Sequence, residues 1–157
     1  MMSTSQRTLV LIAVLAFGAV CIALVSQYAF GLQPCAWCVL QRLIYIVIGI
    51  VCLVLAFLGP VLSRLGALLA LILAVCGAWA AYYQYTVASQ LLSCAQTFAD
   101  KFIAGSGLDG AVPRLFGIYA TCMDAAVKVL GVEYAVWSLA LFVILALLSL
   151  RALLRRG

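Results

Sequence analysis

Four apolar stretches, each long enough to cross the roughly 30 Å hydrocarbon core of a bilayer as a helix of about 20 residues, divide this chain at positions 8–26, 39–58, 65–85 and 135–150. That division constrains the fold more than any other feature. Hydrophobic residues make up 69% of the 157 and charged residues only 8%, and the mean hydropathy of +1.30 is not one a soluble domain presents to water. An all-α membrane protein follows, a bundle of four transmembrane helices forming a single membrane domain over 1–157. The first stretch follows Arg7 and exceeds the about 7–15 apolar residues of a secretory signal, without an Ala-x-Ala-like site after it. It is expected to be a retained helix.

Orientation follows from the basic residues near the helix ends. Arg7 precedes the first span, Arg64 separates the second from the third, and Arg151, Arg155 and Arg156 follow the fourth, with no acidic residue on that side. Both termini are therefore expected to be cytoplasmic. A short loop, 27–38, and a long one, 86–134, fall on the other side, where Lys101, Arg114 and Lys128 nearly cancel Asp100, Asp109, Asp124 and Glu133. The net charge of +5 is thus mostly a topology signal, and without a basic patch interleaved with aromatics it gives no support to nucleic-acid binding. The brief link at 59–64 makes helices two and three an antiparallel hairpin. Within the long loop, 95–103 is an amphipathic candidate in which Phe98, Phe102 and Ile103 are spaced to share one apolar face, followed by a flexible glycine-rich stretch at 105–110.

The seven cysteines sort by this topology. Cys21, Cys52 and Cys76 lie inside spans, where a thiol behaves as a small hydrophobe. Cys35, Cys38, Cys94 and Cys122 lie on the external side, which in a bacterial inner membrane is the periplasm, where disulfides persist, and an even number there reads as two bridges. Proximity favours Cys35 with Cys38, leaving Cys94 with Cys122. A structural staple is a serious reading of the longer pair. A bridge across two intervening residues restricts little chain entropy, which points Cys35 and Cys38 to redox chemistry instead. Zinc is the other use of four cysteines, but the chain has no histidine and only one short Cys-x-x-Cys hairpin, so no metal site is expected.

Cys35 and Cys38 open the second helix, where the positive end of the helix dipole stabilises thiolate, the nucleophile of disulfide exchange. Positions 35, 38 and 42 share one face, and Arg42 lies one turn, about 6 Å, deeper than Cys38. A cation at that depth is costly unless it snorkels or has a partner. The two readings are a guanidinium reaching the headgroups and one that donates to a quinone carbonyl and stabilises charge developing on the ring.

The residues Pro34-Cys35-Ala36-Trp37-Cys38-Val39-Leu40-Gln41-Arg42, with Cys122, Leu130-Gly131 and Trp137 before the last span, resemble the disulfide bond formation protein B (DsbB) family over nearly the whole chain. Ala36-Trp37 and Val127 depart from its commonest residues. The resemblance implies a quinone-dependent thiol:disulfide oxidoreductase of the bacterial inner membrane. A reduced periplasmic DsbA-type thiol oxidase would attack Cys94, Cys94–Cys122 exchange would resolve the mixed disulfide, and electrons would pass through a transient Cys122–Cys35 bridge. Cys38 would then deliver them to ubiquinone, or menaquinone under anaerobic conditions, beside Arg42. Because DsbA is a strong oxidant, near about −120 mV, only an acceptor drained by respiration would keep that path running. Two rival readings fit the sequence less well. In the vitamin K epoxide reductase type, the membrane-edge Cys-x-x-Cys follows the loop pair instead of preceding it. A tetraspan structural protein with a stapled external loop leaves Arg42 and the short pair unexplained.

Overall fold

The computed structural model describes residues 1–90 and 97–155, and the expected bundle of four apolar helices is what it contains. These are α1 (Thr4–Phe30), α2 (Ala36–Phe57), α3 (Pro60–Thr86) and α7 (Tyr134–Leu154), all long and apolar enough to cross a membrane. Between α3 and α7 come a 3-10 turn (Ala88–Gln90), the short helices α4 (Phe98–Ser106), α5 (Leu108–Ala111) and α6 (Pro113–Phe116), and the two-residue strands β1 (Lys128–Val129) and β2 (Val132–Glu133).

Local chemistry sets the helix ends and carries α1 beyond its apolar run. Ser3 and Gln6 form a reciprocal capping box, and Gly31 closes the other end in the left-handed conformation at φ 68°, which glycine adopts without steric penalty. Pro60 occupies the first turn of α3, where its missing N–H costs nothing. The chain start, the α2–α3 turn and the end of α7 meet at one end of the bundle. There Gln6 Nε2 donates to the Ala56 carbonyl at 2.7 Å and Ser5 Oγ to the Ala152 carbonyl at 3.1 Å.

Small residues line the interior. On α3, Ala67, Ala70, Ala74, Gly77 and Ala81 are all buried, and their spacing of three and four puts them on one stripe. Small residues let helix backbones approach in a bilayer, and Phe142 of α7 packs where a Cβ on Gly77 would stand. Leucine, isoleucine and valine side chains such as Leu11, Ile50, Ile72 and Leu147 are exposed on the outer surface. Exposed apolar surface on every long helix matches a lipid surround.

The long loop departs from expectation in four places. α4 begins at Phe98 under a Thr97 cap, while 95 and 96 lie outside the described residues. Its apolar side chains do not share one face: Ile103 and Ala99 are buried against α2, whereas Phe98 and Phe102 are exposed and stack on each other with ring centroids 5.9 Å apart. The spacing of 98 and 102 was met, but Ile103 lies a further 100° around the helix and takes the core with Ala99. The stretch expected to be flexible is the junction of α4 and α5, closed by Gly107 at φ 72°. The β1–β2 hairpin was not expected. Its two-residue turn, Leu130 at φ 55° and Gly131 at φ 81°, is of the twisted kind that suits hairpins.

Candidate functional site

At the end of the bundle away from the chain termini, Pro34 delivers Cys35 to the N-cap position of α2, in extended backbone, and Cys38 to the helix's first turn. The Pro34 carbonyl accepts from the N–H groups of Tyr119 at 3.1 Å and Ala120 at 3.3 Å. That clasp draws the end of the long loop over the helix entrance. Cys122 arrives with its Sγ 2.9 Å from Cys35 Sγ, and Cys35 Sγ is 3.2 Å from Cys38 Sγ.

Three sulfurs therefore stand in sequence, with Cys35 in the middle and only 1% exposed. Burial pushes the Cys35 thiol well above its ordinary range, and the sulfur contacts with Cys122 and Cys38 push it in the same direction. Cys35 is thus held as a thiol when reduced, between two partners with which it can exchange. Cys94, the fourth cysteine expected on this side, lies outside the described residues.

One turn below, Arg42 is 5% exposed and folded inward. Its Nη1 donates to Gln27 Oε1 at 2.7 Å and to the Leu115 carbonyl at 3.2 Å, and its Nη2 to the Ala23 carbonyl at 3.4 Å. The guanidinium does not reach outward past the protein. Beside it a cavity of about 530 Å³ is walled by Cys38, Gln41, Arg42 and Tyr45 of α2, by Ile22 and Ala23 of α1 and by Leu141 and Ile144 of α7, under Val127 and Leu130. A mostly apolar hollow of this size with a few convergent polar groups is the usual form of a small-molecule site.

Several polar residues of this region were missed by the sequence reading. Gln41, Gln84 and Ser138 come from three different spans and join through side-chain hydrogen bonds, and Gln84 also reaches Cys38. A signal was present, since polar side chains inside apolar spans face partners more often than lipid. Nothing in their separate positions says that they meet.

Comparison with known proteins decides the family. The family model described as disulfide bond formation protein DsbB matches residues 5–152. The chain belongs to the DsbB family. It is 34% identical over 157 residues to the disulfide bond formation protein B of Ralstonia nicotianae, covering 99% of this chain and 98% of that one. With its counterpart from Stutzerimonas stutzeri it shares 35% over 159 residues, covering 97% of each, and with that of Herminiimonas arsenicoxydans 28% over 156 residues, covering 99% of each. This DsbB-family chain is accordingly a multi-pass inner-membrane protein of a disulfide-forming class of oxidoreductase.

Proposed function

We propose that the protein reoxidises a periplasmic DsbA-type thiol oxidase and passes the electrons through two cysteine pairs to a membrane quinone. The observation that carries this reading is the row of sulfurs Cys122, Cys35 and Cys38 ending at a cavity that holds a buried arginine. The end carrying Cys35, Cys38 and Cys122 faces the periplasm, and the end carrying Arg7, Arg64 and Arg151 faces the cytoplasm, because positive residues are retained on that side.

The thiol steps balance as two-electron exchanges. The partner's dithiol is oxidised as the Cys94–Cys122 disulfide is reduced, with Cys94 the sulfur attacked. Cys122 thiolate then attacks Cys35 of the Cys35–Cys38 disulfide, forming a Cys122–Cys35 bond and releasing Cys38 as thiolate. Cys94 closes on Cys122 and frees Cys35. The outer disulfide is restored and the inner pair is left as a dithiol.

Ubiquinone, or menaquinone in its place, supplies the acceptor for the two electrons and two protons that regenerate the Cys35–Cys38 disulfide. The residues suit such a group. Of Arg42's five N–H donors three are used within the described residues, leaving two for an acceptor oxygen, and the cavity wall is apolar apart from a few side chains. Ile22 and Ile144, which line it, are 63% and 48% exposed on the outer surface. A lipid-soluble molecule can therefore enter sideways from the bilayer.

Quinone reduction by the purified protein with a reduced DsbA-type donor tests the reading. Cys35→Ser is expected to abolish turnover with folding intact, and a normal rate would refute the proposal. Arg42→Ala should raise the apparent KM for quinone by roughly 10- to 100-fold, as expected from loss of charge-assisted hydrogen bonds of about 1.5–3 kcal/mol. An unchanged value would leave Arg42 a structural clamp.

A further inference from the structure

A chain of donors runs through the bundle and ends on the sulfur nearest the cavity. Tyr45 OH lies 3.0 Å from Ser138 Oγ and 3.1 Å from the Ser138 carbonyl. Ser138 Oγ donates to Gln41 Oε1 at 2.6 Å, Gln41 Nε2 to Gln84 Oε1 at 2.6 Å, and Gln84 Nε2 to Cys38 Sγ at 3.1 Å. Three of the four long helices contribute.

The order of donors and acceptors matters. Ser138 has one hydroxyl hydrogen, and Gln41 takes it, so the Gln41 carbonyl oxygen faces Ser138 and its NH₂ faces Gln84. The Gln84 oxygen is thereby occupied, and its NH₂ is the part left to face sulfur. The three hydrogen bonds from Ser138 onward point toward Cys38, an arrangement suited to an acceptor without a proton of its own. Gln41 and Gln84 are 5% and 4% exposed, so water competes little for these groups, and bonds in such a chain polarise one another.

We propose that Gln84 is a further catalytic residue, donating to Cys38 to hold it as the thiolate that gives up electrons, while Gln41, Ser138 and Tyr45 are positioning residues that fix the direction of its carboxamide. The inference rests on the reading of Cys38 as the electron-delivering thiolate. Arg42 lies apart from this chain, held by Gln27 and two carbonyls. Gln84 and Arg42 therefore reach the cavity through separate hydrogen-bond sets, with Gln84 alone of the two bonded to the sulfur.

The rival role for such residues is plain adhesion between helices, and the test separates the two. The rate of Cys38 alkylation by iodoacetamide is measured against pH on the reduced full-length protein in detergent, without quinone, with the modified residue located by tandem mass spectrometry. Gln84→Leu is expected to move the midpoint of the rate profile upward by about one pH unit, a tenfold loss of rate below the midpoint, equivalent to about 1.4 kcal/mol. Gln84→Glu, which offers sulfur a carboxylate, should move it further in the same direction. Ser138→Ala, which leaves Gln84 in place but frees Gln41 to turn, should give a smaller rise and serves as the deciding arm if the Gln84 variants do not fold. Midpoints equal to the wild type in the folded variants would overturn the proposal and reduce the chain to adhesion. Because no quinone is present, the shift can appear even if quinone reduction fails, so the two readings fall separately.

Discussion

Cys35 stands between two sulfurs in a site that water scarcely enters, and its burial has a consequence for the whole reduced protein. Its thiol is raised well above the ordinary 9.0. A group whose folded value is raised stabilises the fold fully below the unfolded value and loses that contribution as pH climbs toward the folded one. The reduced wild type should therefore lose thermal stability in detergent as pH rises above about 9, because the unfolded chain ionises this thiol while the folded chain resists. Cys35→Ser should show a shallower decline over the same range, and parallel melting curves for the two proteins would contradict the assignment. The same burial bears on exchange: Cys35 makes a poor free nucleophile at neutral pH, which suits its proposed role as the sulfur that Cys122 attacks and that later closes on Cys38.

Among the elements, the α3–α7 contact couples stability to the site. Phe142 occupies the place where a side chain on Gly77 would begin, and its ring stacks on Tyr45, with centroids 4.1 Å apart and planes 4° from parallel. Tyr45 in turn meets Ser138. Gly77→Ala should therefore cost about 1–3 kcal/mol by overpacking, seen as a lowered melting temperature, and should slow quinone reduction as Tyr45 shifts. Gly18→Ala is the control, since a Cβ there meets nothing within 4 Å and alanine favours a helix interior by about 1 kcal/mol. Equal melting temperatures for the two variants would refute the packing argument. The long helices were readable from composition because lipid demands an uninterrupted apolar run. The Cys35, Cys38 and Arg42 alignment was readable because a single helix sets it. Neither the inward hold on Arg42 nor the Gln41–Gln84–Ser138 junction could be read that way, because each requires side chains from different helices to meet through tertiary packing. The β1–β2 hairpin escaped for another reason: two-residue strands carry almost no periodicity, and its turn places Leu130, not a residue that favours the left-handed region, at φ 55°.

Over the whole molecule, charge and chemistry are separated along the bundle axis. Arg7, Arg64 and Arg151 gather where the α2–α3 turn and the end of α7 meet, while Asp100, Asp109, Asp124 and Glu133 belong to the loop end with Cys122. In the proposed relay this separation would determine which electron donor the sulfurs can meet. In the proposed orientation, with the basic end held in the cytoplasm, Cys122 would face an oxidising compartment and a soluble dithiol partner, while the cavity beside Cys38 has the exposed Ile22 and Ile144 in its wall. Reversed insertion would present the same sulfurs to a reducing compartment, where disulfides do not persist, and the relay would be drained from the wrong side. Orientation is therefore part of the proposed mechanism, and side-directed labelling measures it. In intact spheroplasts of cells making the Cys35→Ser protein, reduced before labelling, a membrane-impermeant maleimide should modify Cys122. A cysteine introduced as Val61→Cys in the α2–α3 turn, where Val61 is 78% exposed, should react only after permeabilisation. Labelling of the Val61→Cys site in intact spheroplasts, with Cys122 protected until lysis, would invert the topology and with it the direction of electron flow.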